Sequence, residues 1–330
     1  MTNATDIHFP LVSIVMAAYN EEKHIAEAID SVLAQTYPHF EFIIVNDGST
    51  DGTDSIIRSY SDARIRYIIN EKNLKLIDSL NKGLRAATGK YIARMDADDI
   101  CMHNRLEKQV AFMEANPETG ISGAQLQLFG NAQGTMNYPL SHDDIRLGLL
   151  LTSCFGNNVV IFRKSILDEH SLFFPKGYFH AEDYKCWTNW IQYTRAANLP
   201  ECLVNYRSHS NSVSVQHKAL QRETRNRVRA EYVSGLFGLT GPQTAQDFTG
   251  PLSKKRIAAI EQVLQLNNEL KLFPPEALKK TIVTLWYTDA LEKAETNFSV
   301  FFKFPLIFKL SSGGDFKRWI NVLKHFLKSR

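Results

Sequence analysis

The sequence predicts an α/β fold with a mostly parallel central sheet, flanking helices and a helical extension at the C-terminal end. Two observations lead to this prediction. As far as residue 99, short apolar runs alternate with segments of helical period, and the runs have the near-continuous hydrophobicity of strands buried on both faces. Polar clusters follow the first, second and fourth runs, where open α/β sheets place their ligands.

The predicted elements follow one another as β-α-β-α-β-α-β. The strands span residues 11–17, 40–45, 64–69 and 91–95, and the helices span residues 21–34, 54–60 and 74–87. Such alternation favours a Rossmann-like parallel sheet with right-handed crossovers and helices on both faces. The binding crevice is therefore expected beyond the carboxyl ends of the strands.

Composition is that of an ordinary globular protein. Of the 330 residues, 44% are hydrophobic and 22% are charged, which suffices for one large or two modest domains. The net charge of +3 is too small to indicate nucleic acid as a partner. The cysteines form no C-x-x-C pair, no leader opens the chain, and no run reaches the ~18 apolar residues of a membrane span. A cytoplasmic protein is expected.

The fourth predicted strand ends in three carboxylates, Asp96, Asp98 and Asp99. Like charges this close need a cation, and hard oxygen ligands suit Mg²⁺ or Mn²⁺ bridged to substrate phosphates. An isolated D-x-D is more often a solvated acidic turn. The polar clusters that precede this one favour the metal site.

The other two clusters allow structural interpretations as well. Residues 19–21 could begin a helix with an asparagine N-cap, although this role does not explain Tyr19. Residues 46–52 resemble an EF-hand loop, but Arg58 stands where a bidentate glutamate is needed, so a turn that also binds is favoured. The usual glycine-rich phosphate loops are missing from the sequence. An aromatic ring, the isolated Asp47 and a metal site suit a nucleoside diphosphate instead.

These segments together resemble the inverting family 2 glycosyltransferases of the GT-A fold, which transfer sugars from nucleotide diphosphates. The matching blocks are Val12-Ser13-Ile14-Val15 through Tyr19-Asn20-Glu21, residues 43–53 (IIVNDGSTDGT), residues 87–99 (ATGKYIARMDADD), Arg105-Leu106-Glu107-Lys108-Gln109, Ala181-Glu182-Asp183 and Tyr206-Arg207-Ser208-His209. The chain departs from the family pattern at Lys75, where relatives commonly carry glycine.

The resemblance implies a GT-A fold and roles for individual residues in binding a nucleotide sugar. Tyr19 and Asp47 would hold the base. Asp96 would meet the ribose, and Asp98 would coordinate Mn²⁺ or Mg²⁺ on the diphosphate. The other nucleotide-sugar-binding residues that it implies are Ala17, Glu21, Lys82, Arg94, Ala97 and Arg207.

For catalysis the resemblance implies Glu182 and Asp183, a pair that in isolation is usually a surface helix start. Inverting transfer needs one base to take the proton of the attacking acceptor hydroxyl, while metal stabilises the leaving diphosphate. Asp183 is expected to be this base, and Glu182 to orient the acceptor or the loop. Arg207 would pair with phosphate. His209 would complete the metal shell or contact phosphate, and the alternative is an ordinary loop histidine.

Beyond His209 the chain becomes basic. Residues 217–229 predict a helix with a basic face, residues 301–309 mix aromatic, apolar and lysine residues, and residues 316–330 predict a basic amphipathic helix. Such segments bind anionic membranes, which predicts a peripheral position on the inner face of the cytoplasmic membrane. Packing of the apolar stripe on the catalytic domain is the alternative.

The sequence thus predicts three parts. Residues 1–105 form the nucleotide-sugar-binding half of the GT-A domain, residues 106–215 form its acceptor-binding half, and residues 216–330 form the helical extension. The sequence does not decide whether the chain forms a homodimer.

The resemblance implies transfer of a single sugar, hexosyl or N-acetylhexosaminyl, from a UDP-sugar to a glycan or lipid-linked acceptor in bacterial lipopolysaccharide or capsule synthesis. Processive synthases carry membrane spans and a Q-x-x-R-W motif, whereas here Asp315 replaces the glutamine of that motif. The alternatives are a metal-dependent nucleotidyltransferase and a non-catalytic nucleotide-sugar-binding protein.

Overall fold

A computed structural model describes residues 9–208, 218–239, 242–249 and 254–293. The chain divides into two compact units. One contains residues up to 145 together with residues 153–221, and the other contains residues 146–152 with those from 222 onward. The first unit carries the sheet and the predicted site, and the second is built from helices.

The first half of the sheet consists of parallel strands joined by helices. The strands are Val12–Ala18 (β1), Phe40–Asn46 (β2), Ile65–Ile69 (β3) and Tyr91–Asp96 (β4), and the helices are Ile25–Leu33 (α1), Thr53–Arg58 (α2) and Leu76–Ala86 (α3). The strands lie in the order β3-β2-β1-β4, and each neighbouring pair is parallel. The predicted alternation and the α/β class are confirmed.

Burial on both faces explains why these segments form strands. Nearly every side chain of β1, β2 and β4 is buried, as the continuous apolar runs predicted. Helix α1 buries Ile25, Ala28, Ile29 and Val32, whose spacing places them on one face. Ile25, Ile29 and Val32 each contribute about 1.5–3 kcal/mol when fully buried, and Ala28 contributes less.

Two helices begin later than the sequence predicts, for reasons that lie in their loops. Helix α1 begins at Ile25 rather than residue 21, because Asn20 has a φ of 56° and the next N–H groups donate to the loop after β2. Helix α3 begins at Leu76 rather than residue 74, because Lys75 has a φ of 76°. In both loops the positive φ residue delays the start of the helix that follows.

The second half of the sheet is mixed. Its elements in chain order are Ile100–Cys101 (β5), Arg105–Ala115 (α4), Thr119–Gly130 (β6), Gly134–Met136 (β7), His142–Gly148 (α5), Ile161–Arg163 (β8), Lys164–His170 (α6), Glu182–Trp190 (α7) and Arg195–Ser208 (β9). Strand β4 pairs with β8 in antiparallel orientation, and the order continues β8-β6-β9-β5, with β7 on β6. Strands β6 and β9 are parallel. The long β9 returns the chain to the crevice, where β5 pairs with it.

The second unit confirms the predicted helical extension. Its helices are Lys218–Phe237 (α8), which starts in the first unit, Pro242–Thr249 (α9), Lys254–Leu270 (α10) and Pro275–Lys293 (α11). Arg229, predicted on a basic face, is instead buried, and its Nε donates to the Leu151 carbonyl at 2.5 Å. Among the helices described here, none is long and apolar enough to cross a membrane. The predicted membrane-binding segments at 301–309 and 316–330 lie outside the described residues.

The backbone at Lys75 is strained, and glycine there should stabilise the protein. Its φ of 76° and ψ of 163° lie in a region that is essentially restricted to glycine, and occupancy by another residue costs about 1–3 kcal/mol. We expect Lys75→Gly to raise the free energy of unfolding by about 1 kcal/mol, after the entropy cost of glycine. Thermal or denaturant unfolding measures this change. Lys72→Gly, at an exposed lysine of the same loop without a positive φ, is the matched control and should give no gain. A Lys75→Gly variant less stable than wild type would contradict this account of strain.

Candidate functional site

The register of the parallel strands brings three carboxyl ends level. Ala17 of β1 lies between Val45 of β2 and Asp96 of β4. The polar residues that follow these strands therefore converge at one edge of the sheet. Tyr19 is exposed there, whereas Ala97 is buried beside Asp96.

The loops after β1 and β2 form one cross-linked unit. Asn20 accepts the Thr50 N–H on its Oδ1 at 2.8 Å, and the Glu21 N–H donates to Thr53 Oγ1 at 2.8 Å. The Gly52 N–H donates to Glu22 Oε2 at 2.8 Å. Asn20 thus bonds to a turn rather than capping α1, and Tyr19, which directly precedes it, is exposed.

Asp47 follows β2 and is buried, and its carboxylate is held by polar groups of the protein. Its Oδ1 accepts from Asn70 Nδ2 and from the Leu74 N–H, each at 2.8 Å. Lys82, a predicted nucleotide-sugar ligand, lies behind this pair, where its Nζ donates to Asn70 Oδ1 at 2.6 Å. Lys82 therefore supports Asp47 through Asn70.

The predicted carboxylate cluster is present at the end of β4. One oxygen each of Asp96, Asp98 and Asp99 lies within 4.8 Å of the others. Arg94 is buried and holds Asp96 through two contacts of 2.5 Å. Because the strand alternates its side chains, Arg94 and Asp96 emerge on the same face.

Asp99 differs from its two neighbours. It is fully buried, and its Oδ1 accepts the Arg207 N–H at 2.7 Å while its Oδ2 accepts from Asn158 Nδ2. Burial raises the pKa of Asp99 to about 8, and the charges of Asp96 and Asp98 add to this rise. With both oxygens used inside the protein, Asp99 is a structural anchor. Asp98, which together with Asp96 faces the crevice, keeps the role of cation ligand.

These residues fit a divalent metal ion. Hard carboxylate oxygens that converge at the end of a strand are the donors that Mg²⁺ and Mn²⁺ accept, commonly with substrate phosphates completing the shell. Burial raises the pKa of Glu21 to about 7, and the charges of Asp98 and Asp96 add to this rise. Their influence indicates that Glu21 lies near the same cluster. The accumulated negative charge explains how a cation and a diphosphate could be held together here.

Arg207 braces the acidic loop from β9. Its Nε donates to the Asp98 carbonyl at 2.8 Å, its Nη2 pairs with Glu27 of α1, and its guanidinium lies over the Phe129 ring at 4.5 Å. The predicted phosphate ligand is thus engaged with the protein itself and holds the backbone of Asp98 in place. His209, predicted as a metal ligand, lies outside the described residues.

Glu182 and Asp183 are the first two residues of helix α7. Burial raises the pKa of Glu182 to about 7, and the charge of Asp183 adds to this rise. Burial also raises the pKa of Asp183. Hydrogen bonds from the Tyr184 N–H and the Ser153 hydroxyl, together with the charge of Arg94, lower this pKa and so offset part of the rise. The influence of Arg94 on both carboxylates places them near the D-x-D strand. A half-buried carboxylate with a raised pKa can accept a proton in a reaction.

Several residues of this site escaped the sequence analysis. Asn70 supports Asp47, Asn158 holds Asp99, and Ser153 bonds to Asp183. Tyr138 lies close to Asp183, whose charge adds to the rise that burial causes in the tyrosine pKa. Asn70 had a usable signal, because it directly follows the third strand as the other clusters follow theirs. The rest come from segments without a distinctive pattern.

The model of the Glycosyl transferase family 2 matches residues 13–169. An uncharacterized glycosyltransferase of Haemophilus influenzae is 40% identical over 245 residues, covering 70% of this chain and 76% of that protein. WfgD of Escherichia coli, a UDP-Glc:alpha-D-GlcNAc-diphosphoundecaprenol beta-1,3-glucosyltransferase, is 32% identical over 217 residues, covering 64% of this chain and 83% of that protein.

Solved structures agree with the fold. The mannosyltransferase PcManGT from Pyrobaculum calidifontis, in complex with GDP-Man and Mn²⁺, matches with a TM-score of 0.54 and 18% identity. The match covers 97% of this chain and 86% of that one. Likeness at this identity concerns the fold alone, and it confirms the predicted GT-A architecture.

Proposed function

This chain belongs to glycosyltransferase family 2, and from that membership we propose that it moves one hexosyl or N-acetylhexosaminyl group from a UDP-sugar to a hydroxyl, with inversion. The observation that carries the proposal is a convergence of three groups of residues. Asp47 and the D-x-D pair Asp96 and Asp98 follow neighbouring strands at one edge of the sheet, and the half-buried Asp183 comes from a separate segment that feels the charge of Arg94 on β4. A donor would lie between the first two groups, with its anomeric carbon toward the third.

Each residue has a distinct part in the proposed reaction. The Tyr19 ring stacks on the base and Asp47 accepts from a base N–H. Asp183 takes the proton of the acceptor hydroxyl while that oxygen attacks the anomeric carbon opposite the leaving diphosphate. Arg94 orients Asp96 toward the ribose, since it holds both oxygens of that carboxylate.

Asp98 would hold Mn²⁺ or Mg²⁺. The bound ion would neutralise the negative charge that develops on the departing diphosphate. Glycosyltransferases of this family typically depend on a divalent metal, and the carboxylate donors here suit one. Arg207 holds the Asp98 backbone and so keeps the ligand oxygen in place.

The proposed acceptor is a glycan or a lipid-linked sugar of a bacterial surface polysaccharide. WfgD supports this proposal, because its name specifies a UDP-Glc donor and a diphosphoundecaprenol-linked acceptor. We place the donor half at residues 1–105, the acceptor half at 106–215 and the extension at 216–330. Peripheral contact of the extension with the inner face of the cytoplasmic membrane is part of the same proposal and would bring the site to a lipid-linked acceptor.

The raised pKa values of the catalytic pair predict an acidic limb in the pH–rate profile. Asp183 must be ionised to act as a base, so activity falls as the pH drops through its raised pKa. Glu182→Gln removes a neighbouring negative charge, which favours ionised Asp183 and shifts the limb of kcat/KM to lower pH. A profile of kcat/KM from pH 5 to about 9 measures this shift. An unchanged or upward-shifted limb would show that the two carboxylates do not interact as proposed.

Thermal unfolding with a panel of nucleotides tests the proposed function. UDP, dTDP, GDP, CDP and NAD⁺ are each added with Mn²⁺ or with EDTA, because a ligand at about 100 times its Kd stabilises the folded state by about 2.7 kcal/mol. We expect a Mn²⁺-dependent rise in Tm with UDP and none with NAD⁺. A rise in Tm with NAD⁺ alone would contradict the proposal. The absence of a rise with every nucleoside diphosphate would contradict it as well. A second experiment tests inversion through the slow hydrolysis of an α-linked UDP-sugar by the enzyme. If the reaction inverts the configuration, NMR should detect the β-anomer of the released sugar first.

A further inference from the structure

The carboxylate of Asp47 is only half available to a ligand. Its Oδ1 accepts two hydrogen bonds of 2.8 Å, from Asn70 Nδ2 and the Leu74 N–H. A carboxylate oxygen offers about two lone-pair sites, so Oδ1 is fully used. Oδ2 accepts from none of the described residues, yet it is not sealed from solvent. One acceptor atom of Asp47 is therefore open to a ligand.

Lys82 determines which way the Asn70 amide points. Its Nζ lies 2.6 Å from Asn70 Oδ1, and a lysine ammonium can only donate. The amide oxygen must therefore face Lys82, and the amide NH₂ must face Asp47 and Ser79 Oγ, which lies at 2.8 Å. Asn70 is 3% exposed, so no solvent competes for its donors. The charge on Lys82 thus keeps Asp47 Oδ1 occupied.

We propose that Asn70, oriented by Lys82, sets the base selectivity of the donor site. It leaves Asp47 a single acceptor, which suits a base that presents one N–H between two carbonyls, as uracil and thymine do. The inference rests on the proposed function, because it assumes that Asp47 meets the base of a nucleoside diphosphate. It adds two residues, Asn70 and Lys82, as the cause of the choice among bases.

Guanine and cytosine fit this single acceptor poorly. Guanine presents two adjacent N–H donors that would need both oxygens of the Asp47 carboxylate, and one donor would stay unpaired. Cytosine carries no hydrogen on N3, so its lone pair would face the Asp47 oxygen. A buried polar group left without a partner weakens binding by about 10- to 100-fold.

Isothermal titration calorimetry with UDP, dTDP, GDP and CDP in the presence of Mn²⁺ tests the inference. We expect wild type to bind UDP and dTDP about 10- to 100-fold more tightly than GDP or CDP. Asn70→Ala frees one of the two acceptor positions of Asp47 Oδ1, since the Leu74 N–H keeps the other, and Lys82→Met lets the Asn70 amide turn. Both variants should bring the ratio of the GDP and UDP Kd values closer to one. Because both Kd values come from the same preparation, partial unfolding of a variant does not change their ratio.

Each outcome of the titration has a distinct meaning. Asn116→Ala is the matched control, because among the described residues its side-chain amide bonds to the Phe112 carbonyl at the end of α4 and to nothing in the proposed site, and it should keep the wild-type ratio. Wild-type protein that binds GDP as tightly as UDP would overturn the inference and leave the proposed transfer standing. If the two variants keep the wild-type ratio, Asn70 and Lys82 are not the cause of the base selectivity. Failure of every nucleoside diphosphate to bind would overturn the proposed function as well.

Discussion

Replacing Asp183 with asparagine is expected to lower turnover by about 10²- to 10⁴-fold, the usual contribution of a general base. The amide keeps the shape of the side chain, but it cannot take the proton of the acceptor hydroxyl. UDP should still raise the Tm in the presence of Mn²⁺, because Asp183 does not contact the base or the diphosphate in the proposed arrangement. The measurement is kcat for sugar transfer, or for donor hydrolysis, beside the UDP-induced shift in Tm.

Two controls separate this effect from a general loss of structure. Asp168→Asn changes an exposed carboxylate of α6, which pairs with Lys164, and should leave turnover unchanged. Glu182→Gln should retain activity at high pH, because Glu182 orients rather than accepts the proton. Wild-type turnover in the Asp183→Asn variant would show that another group is the base.

Replacing Asp98 with asparagine should abolish the Mn²⁺-dependent part of UDP binding. The variant loses a charged oxygen that faces the crevice, whereas Asp99 cannot replace it because both its oxygens are used internally. Loss of a ligand exceeds the 10- to 100-fold effects of residues that only support a metal site, so activity should fall by about 100-fold or more. Titration of Mn²⁺ into the protein, followed by calorimetry or electron paramagnetic resonance, measures the loss directly.

The matched control for this variant is Asp143→Asn, at an exposed acid of α5 that is remote from the D-x-D in sequence and belongs to no part of the proposed site. It should keep the affinity for Mn²⁺ and the response to UDP. Asp98→Asn protein that still binds Mn²⁺ with wild-type affinity would refute the assignment of Asp98. Such a result would turn attention to Glu21, whose carboxylate lies near the same cluster.

Much of this architecture could be predicted from local sequence. Strands buried on both faces need continuous apolar runs, and α1 needs its apolar residues on one face, so both left a periodic signal. The polar residues after β1, β2 and β4 were also visible, because each breaks an apolar run abruptly. Since parallel strands bring their carboxyl ends to one edge, position in the chain sufficed to gather Tyr19, Asp47 and Asp98 into one crevice.

The sequence by itself therefore determined the α/β class, the edge of the sheet that carries the site, and the residue types that meet there. Only the tertiary structure decided which of these side chains face a ligand. Asp98 and Asp99 are neighbours in sequence, yet one faces the crevice and the other is sealed by Arg207 and Asn158. The occupied oxygen of Asp47 likewise depends on Asn70. The physical reason is that a hydrogen bond depends on distance in space, and these partners come from distant segments that carry no periodic pattern.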